Sequence, residues 1–186
     1  MNTKKLAVSI MLLLFLALNL AFIMPVKATA TKTFTFHAIA DAYVHQYDPD
    51  TNYGTNTELV VASYTGGAER SFVKFQVNHT LFAATIKSAV LKLYCYHVPN
   101  QADSATNITV QPVIGSWSET AITWNNQPSL RGSPSDTIYA NSDAGALHEL
   151  DVTSIYQSYY DNTYPDYGVC IYSTDEDNNS YVAWFS

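Results

Sequence analysis

Short alternating runs of β-branched and aromatic residues, each followed by a cluster of turn-forming residues, recur along almost the whole chain after residue 30. Period-two alternation is typical of strands that turn one face to a core, and Asn, Asp, Gly, Pro and Ser are the residues that tight turns favour. The pattern predicts these strands: Thr33–Ala40, Asp41–His45, Glu58–Ser63, Ser71–Val77, Lys87–His97, Ile108–Ile114, Ala146–Asp151, Tyr167–Ser173 and Tyr181–Phe185.

Helical periodicity occurs in one place, at Val152–Tyr160, where Asp151 or Thr153 is placed to cap a short helix. Many strands at short spacing within the length of one domain predict an all-β protein. We expect an antiparallel two-sheet β-sandwich of jelly-roll type, with a closed barrel as the alternative.

The first thirty residues carry the features of a signal peptide. Two lysines precede an apolar run from Leu6 to Met24, Pro25 ends that run, and Ala28–Ala30 has the small-x-small pattern that a signal peptidase accepts. We therefore expect cleavage after residue 30 and a single mature domain, residues 31–186, that is secreted to the extracellular space or the cell surface without remaining in the membrane. An uncleaved anchor is the alternative, because the run is almost long enough to span a bilayer.

The charge of the mature chain argues against nucleic acid as a partner. Three of the nine basic residues lie in the predicted signal peptide, whereas all sixteen acidic residues follow it, so the mature net charge is −10. Phosphate backbones are bound by clusters of lysine and arginine, which this chain lacks. A cation or a neutral glycan suits the charge better.

Two cysteines, Cys95 and Cys170, would meet oxidising conditions outside the cell. Period two places Cys95 on the same face as the leucines two and four residues before it, which favours an inward side chain. Val169 and Ile171 flank Cys170, so the same rule turns that side chain outward. The sequence leaves open whether the two form a disulfide or remain thiols.

A candidate calcium site begins at Asp48. Asp48, Asp50 and Asn52 place oxygen ligands at alternate positions, as at the start of a calcium-binding loop. The match to an EF-hand is incomplete, because Gly54 falls one position late and Leu59 stands where a bidentate Glu is needed. The alternative is an ordinary tight turn, which uses the same residue types. Apart from this structural calcium, the sequence indicates no cofactor.

The aromatic content suits sugar recognition, since a flat ring covers the apolar face of a pyranose. Tyr43, Tyr53 and Tyr64 lie near predicted loops, so we expect them to form an exposed ligand platform. Arg70 is one of only two arginines in the mature chain. It either pairs with an acidic residue across the sheet or binds a glycan carboxylate or sulfate with both ends of its guanidinium.

Catalysis finds little support in the sequence. The five histidines have no metal-ligand spacing, and neither a Gly-x-Ser-x-Gly motif nor a Cys-His arrangement occurs. Glu119 and Asp151 would suit a glycosidase pair, but sixteen acidic residues make such pairs common by chance. We therefore expect that the protein is not an enzyme.

Seven sequence blocks occur in an order typical of one family: Ala40–Val44, Asn52–Gly54, Arg70–Phe75, Ile86–Tyr94, Trp117–Pro128, Leu150–Thr153 and Tyr167–Val169. In this order they resemble the DNRLRE domain, also classed as carbohydrate-binding module family 96, which is found in secreted archaeal and bacterial proteins and beside disaggregatases. The run from Trp-Ser-Glu to Asn-Asn-Gln-Pro is the most specific block. The resemblance covers residues 33–186 and implies a β-sandwich that binds extracellular or cell-wall polysaccharide, including acidic glycans such as alginate.

One departure from the family suggests a second function. Members usually continue past the Phe-Ser at the end of this sequence into one more strand, of the type Arg-Pro-x-Leu-x-Val-Thr-Tyr. A sandwich that lacks its last C-terminal strand has unpaired backbone groups and a slot between its sheets. A truncated gene model or a lost strand would explain the difference. Alternatively, Thr31–Ala38 of a neighbouring copy, with Phe34 and Phe36, would fill the slot by β-strand addition and build an extracellular filament or surface layer.

Overall fold

The computed structural model describes residues 30–77, 85–95, 106–176 and 179–185. The chain divides into a first unit that ends at Thr35 and a compact second unit that begins at Phe36. Almost all of the expected signal peptide, residues 1–29, lies outside the described residues. Within the described part of the chain, no helix is long and apolar enough to cross a membrane.

Nine strands and one short helix form the secondary structure of the described residues. They are β1 (Ala38–His45), β2 (Glu58–Tyr64), β3 (Gly67–Phe75), β4 (Val90–Tyr94), β5 (Thr106–Pro112), β6 (Asp136–Ala140), β7 (Leu147–Asp151), α1 (Thr153–Tyr160), β8 (Val169–Ser173) and β9 (Ser180–Phe185). All strand pairs are antiparallel. The prediction of an all-β, two-sheet sandwich is confirmed.

The larger sheet has seven strands. It curls into a half-barrel because two strands, β2 and β8, pair with successive parts of the same edge of β3. Its order is β6-β5-β8-β3-β2-β9, and β1 pairs with the other edge of β3. Glu69 pairs with both β1 and β2, whereas Ser71 pairs with β1 and β8. Strand β2 therefore leaves β3 where β8 joins it, and β2 continues beside β9. The second sheet consists of β4 and β7.

The main core lies between the two sheets and under the helix. Trp184 of β9 is fully buried there, and its indole N–H donates to Nδ1 of His148 at 2.8 Å. Burial lowers the pKa of His148, so this imidazole serves as a neutral acceptor inside the core. The predicted alternation in β4 is confirmed, because Leu91 and Leu93 are buried while Val90, Lys92 and Tyr94 are exposed.

The helix α1 is in the predicted place and buries Ile155, Tyr156 and Tyr159 against the core. Asp151 accepts a hydrogen bond from the backbone N–H of Thr153 at 2.8 Å, which satisfies one donor of the first turn. The hydroxyl of Thr153 instead accepts from the backbone N–H of Ala89 at 2.8 Å. Of the two residues that were expected to cap the helix, Asp151 therefore binds the helix end, and Thr153 ties the helix to the segment that leads into β4.

The large sheet is covered on both faces, which explains the environment of the cysteines. Cys95 lies in the main core, as alternation predicts. Cys170 points to the opposite face, also as predicted, but it is buried there because residues 113–131 cover that face with Trp117 and Trp124. The two sulfurs are not joined. Burial raises the pKa of the Cys170 thiol well above its usual range.

Some predicted boundaries were wrong. Residues 33–37 precede the first strand rather than forming part of it, because pairing with β3 begins at Ala38. Strand β3 begins at Gly67, four residues earlier than expected, because Gly66 (φ 83°) turns the chain directly into a hairpin with β2. The short strand β6 was missed. The expected end of β4, at His97, lies outside the described residues.

Candidate functional site

An aromatic cluster forms where β1, β2, β3 and β9 meet beside the loop that follows β1. The members of the aromatic cluster are Tyr43, His45, Tyr47, Tyr53, Tyr64, Glu69 and Tyr181. The three tyrosines predicted to form a platform are therefore brought together. Tyr43 and Tyr64 reach one place because β1 and β2 pair with opposite edges of β3 around Glu69, which residue spacing along the chain does not reveal.

Tyr43 and Tyr53 stack, with ring centroids 4.5 Å apart and planes 17° from parallel. Tyr43 is only 7% exposed, so the prediction that it forms an exposed platform was wrong; it supports Tyr53, which is partly exposed. Its hydroxyl accepts a hydrogen bond from Asn56 at 3.0 Å. Tyr53 donates its own hydroxyl to Asp48 at 3.0 Å, which fixes the Tyr53 ring in position.

Tyr47 is the most exposed member of the aromatic cluster, at 57%, and the sequence reasoning missed it. Its ring lies directly on the backbone of Gly67, where a Cβ atom would come within 2.6 Å of the ring. Its hydroxyl donates to the carbonyl of Thr65 at 2.8 Å. The ring therefore lies against the β2–β3 turn, with centroids 6.2 Å from Tyr64 and 5.9 Å from His45.

Glu69 is a buried carboxylate at the base of the aromatic cluster, with 5% of its surface exposed. Tyr64 donates its hydroxyl to Oε1 at 3.0 Å, and Nε2 of His45 lies 3.0 Å from the same oxygen. Nδ1 of His45 accepts from the backbone N–H of Asp48 at 3.1 Å, so the ring proton of a neutral imidazole is on Nε2 and points to Glu69. The carboxylate thus has two donors on one oxygen.

Burial raises the pKa of Glu69 to about 7; the hydrogen bond from Tyr64 lowers it, and the charges of Glu58 and Asp48 raise it further. Burial also raises the pKa of Tyr64, with Glu69 as the next cause. For Tyr181, burial and then the charges of Glu69 and Glu58 raise the pKa in the same way. The aromatic cluster therefore combines stacked rings with a local excess of negative charge.

Arg70 does not belong to the aromatic cluster, although it follows Glu69, because adjacent residues in a strand point to opposite faces. Its Nε and Nη2 atoms donate to the two carboxylate oxygens of Glu176 at 2.7 and 2.8 Å. The guanidinium carbon lies 4.9 Å from the centroid of Trp124 and 5.5 Å from that of Tyr172. Of the two roles expected for Arg70, the structure shows the pairing with an acidic residue.

The candidate calcium ligands are engaged in three different interactions. The side-chain amide of Asn52 donates to two backbone carbonyls of the segment between β5 and β6, each at 2.7 Å. Asp50 accepts from Asn125 at 2.8 Å, and Asp48 accepts from Tyr53. Within the described residues, no group of three or more His, Cys, Asp or Glu residues is arranged to hold a metal ion. The calcium site remains a prediction from sequence.

A cavity elsewhere on the molecule is less suited to a sugar. A cavity of about 110 Å³ lies between Pro134–Asp136 on one side and Asp151, Ser154 and Ile155 on the other. No aromatic ring lines it, and Asp136 is already occupied by the backbone N–H of Asp151 at 2.7 Å. Rings that stack on pyranoses are the usual core of a sugar site, which favours the aromatic cluster.

Comparison with known proteins assigns the chain to a family. The model of carbohydrate-binding module family 96 matches residues 32–186, which is most of the chain and includes all of the aromatic cluster. A search of curated proteins found no match. The suspected resemblance is confirmed by the match over the whole sandwich, and the chain belongs to carbohydrate-binding module family 96.

Proposed function

We propose that this protein is a secreted, non-enzymatic module that binds cell-wall or extracellular polysaccharide through the aromatic cluster. Membership of a carbohydrate-binding module family supports binding of a glycan, and modules of this class are normally non-catalytic. The proposal adds the location of the site, the export of the chain and its attachment to a polysaccharide outside the cell.

One observation carries the choice of site: half-exposed tyrosine rings lie beside fixed hydrogen-bonding groups. Tyr47, Tyr53 and Tyr64 offer ring faces or edges to solvent. Asp48, whose side chain is 57% exposed, lies beside Tyr53 and supplies carboxylate oxygens at the same surface. A pyranose needs both kinds of contact, because its C–H face packs on a ring and its hydroxyls require partners.

Substitution of the exposed ring tests the site. Tyr47→Ala removes the most exposed ring of the aromatic cluster, whereas Tyr94→Ala removes a ring of equal exposure, 57%, from the outer face of the β4–β7 sheet. Binding is measured by affinity electrophoresis in gels that contain cell-wall polysaccharides and by a glycan microarray. We expect Tyr47→Ala to weaken retention about tenfold, as for an aromatic contact at the centre of an interface, and Tyr94→Ala to leave it unchanged.

Equal losses in the two variants would place the binding site elsewhere. Retention of neither the parent nor any variant by any polysaccharide would contradict the binding function itself. Release of reducing ends from a bound glycan would contradict the non-enzymatic assignment. Export is tested separately, by the N-terminal sequence of the protein recovered from the medium or the cell surface, which we expect to begin at Thr31.

A second candidate function is a structural subunit of a filament. The observation that favours it is the run before β1, where Phe34 and Phe36 alternate with polar residues and are 49% and 40% exposed. Alternating apolar residues suit insertion into a neighbouring sheet. Size-exclusion chromatography and electron microscopy of residues 31–186, with a variant that lacks residues 31–37 as control, test this function. A monodisperse monomer would contradict it.

A further inference from the structure

Only one of the two carboxylate oxygens of Glu69 accepts hydrogen bonds from the described residues. Its side chain is 7% exposed, and both of its contacts, from Tyr64 and from His45, are made to Oε1. Oε2 accepts no hydrogen bond from any described residue. Oε2 is not among the buried oxygens that lack a partner, so solvent reaches it. A ligand that places a donor at this oxygen would replace that solvent.

The surrounding charges have one sign. The side chains that act on the pKa values of the tyrosines in the aromatic cluster are Glu69, Glu58 and Asp48, together with other tyrosines and Asn56. Among the described residues, no lysine or arginine contributes to these pKa values. Arg70, the nearest in sequence, is on the opposite face and is held by Glu176 at 2.7 Å.

We propose that the aromatic cluster selects sugars by charge, binding a pyranose that carries an amino group more tightly than a neutral one and rejecting one that carries a carboxylate or sulfate, with Oε2 of Glu69 as the atom that accepts the donor of the sugar. The inference rests on the proposed function and names the class of glycan for the same site. It departs from the acidic glycans that the family resemblance implies.

The preference for an amino sugar over a neutral one follows from the hydrogen bond that each group donates to the carboxylate of Glu69. A hydroxyl that donates to a carboxylate makes a charge-assisted bond, and an ammonium group strengthens it further because both partners are then charged. A sugar carboxylate at the same place has no proton to donate. It also brings like charge against three acidic side chains, Glu69, Glu58 and Asp48, of which Glu69 is largely buried and therefore weakly screened by solvent.

The test uses sugars that differ in one group. The probes are cello-, manno-, laminari- and maltohexaose, each in three forms: unmodified, 6-amino-6-deoxy and oxidised to the 6-carboxylate. Binding is measured on an array and then by calorimetry, at about pH 8, where both Glu69 and the primary amine are charged. For the backbone that binds, we expect the amino form to bind about tenfold more tightly than the neutral form, and the carboxylate form at least about tenfold more weakly.

Two variants separate this inference from a general loss of the fold. Glu69→Gln keeps an oxygen for the Tyr64 and His45 donors but removes the charge, so the amino and neutral forms should bind equally. Glu149 lies in the β4–β7 sheet, away from the aromatic cluster; its carboxylate is 50% exposed and pairs with Lys92 of the same sheet. The Glu149→Gln variant should therefore keep the full preference for the amino form. Circular dichroism of both variants establishes that they are folded.

Each outcome supports or overturns the inference. The expected ranking, lost in Glu69→Gln and kept in Glu149→Gln, supports it. Equal binding of the three forms, tighter binding of the carboxylate form, or binding of acidic or sulfated polysaccharides alone overturns the charge selection and leaves glycan binding intact. Absence of binding to every probe and to every polysaccharide in the wider array overturns the proposed function as well.

Discussion

Glu69 should make the stability of this protein fall as the pH rises from about 4.5 to about 7. Burial raises the pKa of its carboxyl from the ordinary value of 4.5 to about 7. The folded state therefore holds a proton that the unfolded state has already lost in this pH range. The stabilisation from Glu69 is complete below the unfolded pKa, decreases through the interval and is gone above the folded pKa.

The magnitude follows from the two pKa values. About 1.4 kcal/mol for each unit gives about 3 kcal/mol between the protonated and the ionised carboxyl, and the side chain is 7% exposed, so solvent screens little of it. This figure is the upper end, because the Nε2–H of His45, 3.0 Å from Oε1, is a second donor that favours the carboxylate. A loss of this size is a substantial part of the stability of an ordinary domain.

The measurement is urea denaturation of the wild type and of Glu69→Gln at intervals from about pH 4 to about pH 8. Other carboxylates also titrate, so the difference between the two proteins isolates Glu69. We expect the variant to gain about 2 to 3 kcal/mol relative to the wild type across this range. The same comparison with Glu149→Gln should stay flat, because that side chain is 50% exposed. A flat difference for Glu69→Gln as well would refute the argument from burial.

Three further predictions concern backbone, sulfur and metal. Gly168→Ala should destabilise the fold by at least about 2 kcal/mol in urea denaturation, because φ is +82° and the new Cβ would overlap the carbonyl oxygen of Val73. Denatured, unreduced protein should titrate two thiols with a disulfide reagent, Cys95 and Cys170, whereas a single shared bridge would give none. Millimolar calcium should leave the melting temperature unchanged, because the amide of Asn52 is bound to backbone carbonyls; a clear rise would instead support the calcium site that the sequence predicts.

Local pattern was enough to predict most of the strands, because a residue that alternates with a buried neighbour must itself face outward. Local pattern failed where a segment becomes a strand because it pairs with another strand, not because its own residues alternate. Strand β6 runs through a segment rich in turn-forming residues, and Tyr139 within it is 70% exposed; its strand conformation depends on pairing with β5. Conversely, Phe34 and Phe36 alternate well but precede β1, which begins at Ala38.

The cysteines show how far the same rule extends. Alternation assigned Cys95 and Cys170 to faces correctly. It could not predict that the outward face of β8 would also be buried, because the cover comes from residues 113–131, which contain no long alternating run. A face is a local property, whereas burial depends on which distant segment packs against that face. The same limit applies to Tyr43, which was expected to be exposed and is 7% exposed.

Only part of the candidate site could be predicted from the sequence, again because burial depends on segments that are distant along the chain. Tyr43, Tyr53 and Tyr64 could be chosen because loops carry exposed aromatic residues, but nothing local distinguishes Glu69 from the other acidic residues. Glu69 differs from them only in the folded protein, where it pairs with β1 on one edge of β3 and with β2 on the other. Its carboxyl therefore contacts both His45 and Tyr64. An ionised carboxylate at this place is a stability cost, because burial raises its pKa to about 7. A carboxylate that opposes stability when ionised, and whose second oxygen accepts no hydrogen bond from the described residues, is more typical of a binding site than of a folded core.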